Sequence, residues 1–260
     1  VVHAPQSALG ELCSLATAAL GERFVPHFAT SYRELSLALE TGAMGLAWMP
    51  PIPCVELEET GGGVVLAVPA RKGMASYHSA LVVRKGGPRT LQECAGRGVA
   101  WVDGESASGY VIPRLHLTSL GIDARTFFGK EIFAHTHTAV VDAVVEGRVV
   151  VGATFCNLDV AKRVANAGWT DPDGSNARPV DMISSAGPIP NDAIVGSTKL
   201  PLPTRAGLTR WLLELDPRAK TLFQQLLRAT EFRVLAPAHY EPLKHIVRTA
   251  RARGFTMRPV

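Results

Sequence analysis

The chain has 260 residues, of which 47% are hydrophobic and 19% charged; that is enough apolar material for one large domain or two lobes and too much for a disordered tail. Its 27 basic and 23 acidic residues leave a formal net charge of +4, with no basic block beyond Arg248, Arg251 and Arg253; this excludes a dense nucleic-acid footprint and is compatible with a small anionic ligand. No stretch reaches the roughly 18 apolar residues that span a bilayer, because the most apolar one, Ala139 to Phe155, is broken by Asp142, Glu146 and Arg148.

In chain order, the opening VVHAPQSALGEL reads as a first strand at Val1–His3 leading into a helix over Ser7–Leu20, rather than as a signal peptide. An intracellular chain and one that has lost a leader both stay open. Tyr32, Leu35 and Leu39 carry helical spacing through Ser31–Glu40, stopped by Gly42. A strand at Gly45–Met49 ends at Pro50-Pro51, and Gly61-Gly62-Gly63 reads as a turn between two strands, the second at Val64–Pro69. Further strands are expected at Ser79–Arg84, Val99–Asp103 and Val149–Phe155, with Phe133 near another strand end and Pro179–Ile189 extended. Helices are expected at Leu91–Ala95, Ser108–Leu120, Thr138–Glu146, Pro203–Leu215, Pro217–Ala229 and Ala238–Arg253. Strands separated by helices predict an α/β fold with mostly parallel sheets. Ligands of such sheets bind at strand carboxyl ends, beside helix N-termini.

Two strand-to-helix loops carry candidate chemistry. In Asp103-Gly-Glu-Ser-Ala-Ser-Gly-Tyr110, Ser106 and Ser108 offer hydroxyls where free backbone N–H groups open a helix, which makes an anion cradle; an ordinary serine N-cap explains the same residues. A serine-hydrolase elbow needs G-x-S-x-G, and Ser108 stands at the second glycine. In Phe133-Ala-His135-Thr-His137-Thr, His137 precedes a helix and can donate to an anion or simply pack. His135 and His137 leave a metal two ligands short, so no metal and no cofactor is expected. Thr30 or Ser31 reads as a local helix cap, with Arg33 or Glu34 in the first turn. Asp171–Asn176 departs from a calcium loop, with Met182 at its twelfth position, and reads as a surface turn. Cys13, Cys54, Cys94 and Cys156 are far apart in sequence and read as free thiols, with one disulfide left open.

Taken in order, YRELSLALETGAMGLAWMPP (Tyr32–Pro51), SYHSALVVR (Ser76–Arg84), LQECAGRGVAWVDGESASGYVIPRLHLTSLG (Leu91–Gly121), Phe133–Phe155, GPIPND (Gly187–Asp192) and Phe232–Phe255 resemble the phosphonate-binding periplasmic proteins of bacterial ABC transporters. The WVDxxSASGY stretch is the most specific of them. The resemblance spans nearly the whole chain. It implies a two-lobed, type II periplasmic-binding fold with the ligand in a cleft between lobes. Lobe 1 would be residues 1–78 and 194–260, lobe 2 residues 79–193, with hinge crossings near 79–83 and 184–193 and the last helices returning to lobe 1.

The resemblance also implies site residues. The tyrosine of the family's Tyr-x-Ser motif matches Tyr77, the serine-rich helix start matches Ser106, Ala107 and Ser108, the histidine before the next helix matches His137, and the Ile-Pro-x-Asp aspartate matches Asp192. Met49 stands where some members carry a ligand-contacting tyrosine, and Asn157 near an acidic residue that reads the amino group of aminoalkylphosphonates in some relatives. These departures lower the odds of aminoethylphosphonate. They leave phosphate, phosphite, a simple alkylphosphonate or a small carboxylate, aromatic ones included. The expected role is a non-enzymatic, monomeric solute-binding protein of the periplasm or cell envelope that serves a membrane permease. A ligand-sensing domain on the same fold and a serine-dependent enzyme are the rival classes.

Overall fold

The structure, a computed structural model, describes residues 6–71, 73–104, 106–159, 163–170 and 177–254. The strand expected at Val1–His3 and the turn at Asp171–Asn176 lie outside the described residues.

Helix α1 (Gln6–Leu20) is followed by α2 (Tyr32–Thr41) and β1 (Leu46–Met49). Ser31 caps α2 by accepting from the Glu34 N–H at 3.2 Å, and the Glu34 carboxylate accepts from the Thr30 N–H at 2.8 Å. This capping box is local, as its sequence signature implies. Next come α3 (Pro51–Thr60) and β2 (Gly63–Ala70), so the glycine triplet joins a helix, not a strand, to β2. The sequence hides α3 because Ile52, Cys54, Val55 and Leu57 are all buried and leave no one-sided apolar stripe, while Pro51 at its first position is compatible with helix entry.

The chain continues through β3 (Ser76–Arg84), β4 (Gly98–Trp101), a π-helical turn (Ala107–Val111), α4 (Ile112–Ser119), α5 (Ala124–Phe127), β5 (Lys130–Phe133), α6 (His137–Val145), β6 (Val151–Leu158), β7 (Val164–Ala167) and β8 (Val180–Pro190). Then follow β9 (Ala193–Ser197), α7 (Leu202–Leu213), α8 (Pro217–Leu227), β10 (Glu231–Arg233) and α9 (Glu241–Ala252). The four cysteines are free.

Two compact units result: residues 1–75 with 190–239, and residues 76–189 with 240–260. In unit 1 the sheet order is β1-β9-β2-β10, and every described pair is antiparallel. Its core sets Leu12, Leu212, Leu222 and Phe223 of the helices against Ala67 and Phe232 of the strands. In unit 2 the order is β5-β4-β6-β3-β8, with β7 on β6. There β4 runs parallel to β5 and β6, whereas β3 and β7 run antiparallel to β6. The expectation of mostly parallel sheets is therefore corrected: helices and strands alternate, but β9 enters between β1 and β2 against both. Its partners are fixed by hydrogen bonds far apart in sequence, which periodicity does not encode.

Unit 2 buries both faces of its sheet. Leu81, Val99, Trp101, Leu117 and Phe128 fill one side; Ala80, Val82, Ala100, Val140, Val141 and Val144 fill the other. This explains why its strands read as near-continuous apolar runs. The last helix also belongs to unit 2, not to the first lobe as expected. Leu243, Ile246, Val247 and Ala250 give α9 one apolar stripe, and α9 packs on α4.

Candidate functional site

The carboxyl ends of β4, β5 and β6 point the same way, and the loops after β4 and β5 open helices there. This is where open α/β sheets place ligands. The two loops are stitched to the sheet. The Ala134 and His135 N–H groups donate to the carbonyls of Trp101 and Val102 at 2.9 and 2.7 Å, and His135 takes a left-handed φ of 65°.

The helix expected at Ser108–Leu120 begins instead as a π turn, and the sequence supplies the reason. Pro113 has no N–H to give the Gly109 carbonyl four residues back. That carbonyl accepts from the Val102 N–H at 3.1 Å. The Ile112 N–H reaches the Ala107 carbonyl, and the Ser108 carbonyl accepts from the buried Ser79 hydroxyl at 2.8 Å. The turn is thus tied to the end of β4 and to β3. Ser106 is its N-cap: its Oγ accepts from the Gly109 N–H at 3.2 Å, and its carbonyl accepts from the Tyr110 and Val111 N–H groups, both at 3.0 Å. Capping uses an Oγ lone pair and leaves the Ser106 hydroxyl proton to donate. Among the described residues the amides of Ala107 and Ser108 have no acceptor. Two free N–H groups and a hydroxyl at the positive end of a helix make a cradle for an anion.

A set of buried and half-buried side chains supports the turn from behind. The Arg114 guanidinium lies 5.0 Å from the centre of the Tyr110 ring and 5.7 Å from that of Trp101, and it donates to Glu131 at 2.8 Å. The Trp101 indole donates to the same Glu131 oxygen at 2.7 Å.

His137 is the first residue of α6, capped by Thr136, whose Oγ1 accepts from the Ala139 N–H at 3.1 Å. Its ring stands edge-on to Phe155, with centroids 5.0 Å apart, and its Nδ1 lies 3.1 Å from the Thr154 hydroxyl. Burial pushes the ring below the ordinary histidine range, and the Asp103 carboxylate opposes that shift. Tyr77 sits two residues before Ser79 on β3, so strand alternation puts it on the face whose Ser79 hydroxyl reaches the π turn.

The other candidates are placed as follows. Asn157, near the end of β6, donates to the Asn166 side chain of β7 at 2.6 Å. Met49 is fully buried in unit 1, where its carbonyl accepts from the Cys54 thiol at 3.4 Å. Asp192 also belongs to unit 1, between β8 and β9, and pairs with Arg71 at 3.0 Å. Arg71 in turn donates to the Leu227 carbonyl at 3.1 Å. Sequence reasoning missed Arg71, Ser79 and Thr154; for Thr154 the signal was a hydroxyl inside the apolar run of residues 151–156. No group of three or more His, Cys, Asp or Glu among the described residues is arranged to hold a metal.

Burial also lowers His78 and His116. A histidine depressed in the folded state stays neutral while the unfolded chain takes up a proton, so stability rises with pH across that window. Unfolding free energy is therefore expected to fall as pH drops from about 7 to about 5, starting near the unfolded histidine value of about 6.5. Urea titrations at the two pH values check this. The fall should shrink in His116→Gln; equal stability at both pH values would refute it.

Two α/β units make the two-lobed periplasmic-binding fold, and one of them carries amides, a hydroxyl and an imidazole at parallel strand ends. Solved structures share the fold. A Xanthomonas citri protein bound to ATP is 20% identical over 96% of this chain and 95% of that one, with a TM-score of 0.72. A binding protein component of an ABC phosphonate transporter from Pseudomonas aeruginosa is 17% identical over 98% and 84%, with a TM-score of 0.62. PhnD1 of Prochlorococcus marinus, in complex with methylphosphonate, is 16% identical over 94% and 93%, with a TM-score of 0.61. The family model described as ABC transporter, phosphonate, periplasmic substrate-binding protein matches residues 6–240, and the chain belongs to that family. The family is the substrate-binding component of an ABC transporter, and no helix among the described residues is long and apolar enough to cross a membrane.

Proposed function

We propose that the chain captures a small phosphorus oxyanion (a phosphonate, phosphate or phosphite) in the periplasm and hands it to an ABC permease, without chemical turnover. The observation that carries this reading is the pair of amides at Ala107 and Ser108, which have no acceptor among the described residues, beside the Ser106 hydroxyl. The hydroxyls of Ser106 and Ser108, those two amides, the His137 ring and the Tyr77 phenol would hold the oxyanion by charge-assisted hydrogen bonds. Asn157 carries no charge, and Asp192 already has a cation beside it, so neither favours the ammonium of an aminoalkylphosphonate. A phosphate on a larger body is a second reading, prompted by the ATP held by the Xanthomonas citri protein.

The test is a thermal-shift panel of phosphate, phosphite, methylphosphonate, aminoethylphosphonate, ATP, sulfate and benzoate. Ligand at 100 times its Kd adds about 2.7 kcal/mol, and a chain of this size shifts by roughly 2–4 °C per kcal/mol. A selective rise with one small phosphorus oxyanion is expected. A rise with benzoate alone, or with ATP alone, would overturn that assignment. Ser106→Ala and His137→Ala should each weaken binding by about 10-fold or more, as loss of a hydrogen bond to a charged group costs about 1.5–3 kcal/mol. Parent-like affinity in both variants would refute the site.

A further inference from the structure

We propose that Thr154 is a positioning residue that holds His137 in the tautomer with its proton on Nε2, so that the ring offers an N–H donor to the anion. The donor role rests on the function proposed above; the hold on the ring does not.

The argument is an accounting of protons. Thr154 is fully buried in β6, in a stretch whose neighbours Val151, Gly152, Ala153, Phe155 and Cys156 have no polar side chain except a thiol. Among the described residues its hydroxyl has one polar partner, His137 Nδ1, at 3.1 Å. A neutral imidazole has one donor nitrogen and one acceptor nitrogen. If Nδ1–H donated to Thr154, the threonine's own proton would be buried with no acceptor, at a cost of about 1–3 kcal/mol. If the hydroxyl donates to Nδ1, both groups are satisfied, and the ring proton must sit on Nε2. A doubly protonated ring would recreate the orphaned hydroxyl.

The surroundings hold this arrangement in place. Phe155 packs edge-on to the ring at 5.0 Å, and the Thr136 cap fixes the turn that carries it. Gly168, beyond β7, closes over the pair: a Cβ at that position would run into the Thr154 hydroxyl and stand 3.3 Å from the His137 Cβ. Valine has the shape of threonine without the hydroxyl, so the sequence places a polar group where an apolar one would fill the space equally well.

The experiment reads tautomer and affinity separately. Long-range proton–nitrogen NMR spectra of the full chain, with the His137 signals assigned by their loss in His137→Ala, are expected to show an unprotonated Nδ1 and a protonated Nε2. Thr154→Val should lose that single tautomer and bind methylphosphonate and inorganic phosphate about 3- to 10-fold more weakly, the scale of one ordinary hydrogen bond. Thr154→Ser should restore both readouts. A protonated Nδ1 in the parent, or an unchanged ring in Thr154→Val, would overturn the inference. A shifted tautomer in Thr154→Val alongside parent-like affinity in His137→Ala would instead overturn the anion-contact reading and leave Thr154's hold on the ring standing.

Discussion

Trp101→Ala is expected to destabilise unit 2 by about 3–5 kcal/mol, the usual cost of emptying a buried aromatic site. Trp101 has no exposed surface. Its ring meets Tyr110 and Phe128 edge-on, at 5.7 and 5.9 Å, and its indole N–H is held by Glu131. Three losses therefore coincide: the apolar volume, two aromatic contacts and one face of the Arg114 guanidinium. The Arg114 side chain is 10% exposed and keeps Glu131, so the charge is not stranded, and the effect should stay within the cavity range. Trp101→Phe should restore most of the packing but not the indole hydrogen bond, for a loss of about 1–2 kcal/mol. Denaturant unfolding followed by unit 2 amide exchange measures both. A Trp101→Ala protein within 1 kcal/mol of the parent would show that this cluster does not support the unit.

Gly109→Val should have the largest effect on binding. A Cβ at residue 109 would fall 2.6 Å from the Val102 Cβ and 2.9 Å from the Ser106 Oγ. Val102 cannot retreat, because its N–H donates to the Gly109 carbonyl and its carbonyl accepts from His135. The π turn has to move instead, and the Ala107 and Ser108 amides move with the Ser106 hydroxyl. Each hydrogen bond to a charged ligand is worth about 1.5–3 kcal/mol, so losing two or more together should weaken affinity by about 100-fold or more. Overpacking also costs stability, typically about 1–3 kcal/mol. Calorimetric titration well below the variant's melting temperature separates the two effects. A folded Gly109→Val protein with parent affinity would remove the cradle from consideration.

Residues whose role is local were legible in the sequence. Ser31 ahead of α2 and Ser106 at its helix start act within a few positions of themselves, and spacing alone marks them. The same holds for most helices and strands. What escaped depends on distant partners. Thr154 meets a ring 17 positions away, Ser79 a carbonyl 29 away, and Asp192 a guanidinium 121 away. The direction of β9 escaped for the same reason. The π turn lies between these cases: its cause, Pro113, is local, but the carbonyls freed there are answered by Val102 and Ser79, whose proximity only the folded sheet provides. Helix α3 failed differently, since burial on several sides erases the periodicity that reveals a surface helix.

The assignment of α9 to unit 2 bears on how the chain is made. Unit 2 is written in two instalments, residues 76–189 and 240–260, with a stretch of unit 1 between them. During synthesis α4 emerges more than a hundred residues before the helix that covers it. The nascent second unit therefore lacks the cover over α4 until α9 arrives. Its final stability is reached only when the C-terminal helix seals α4.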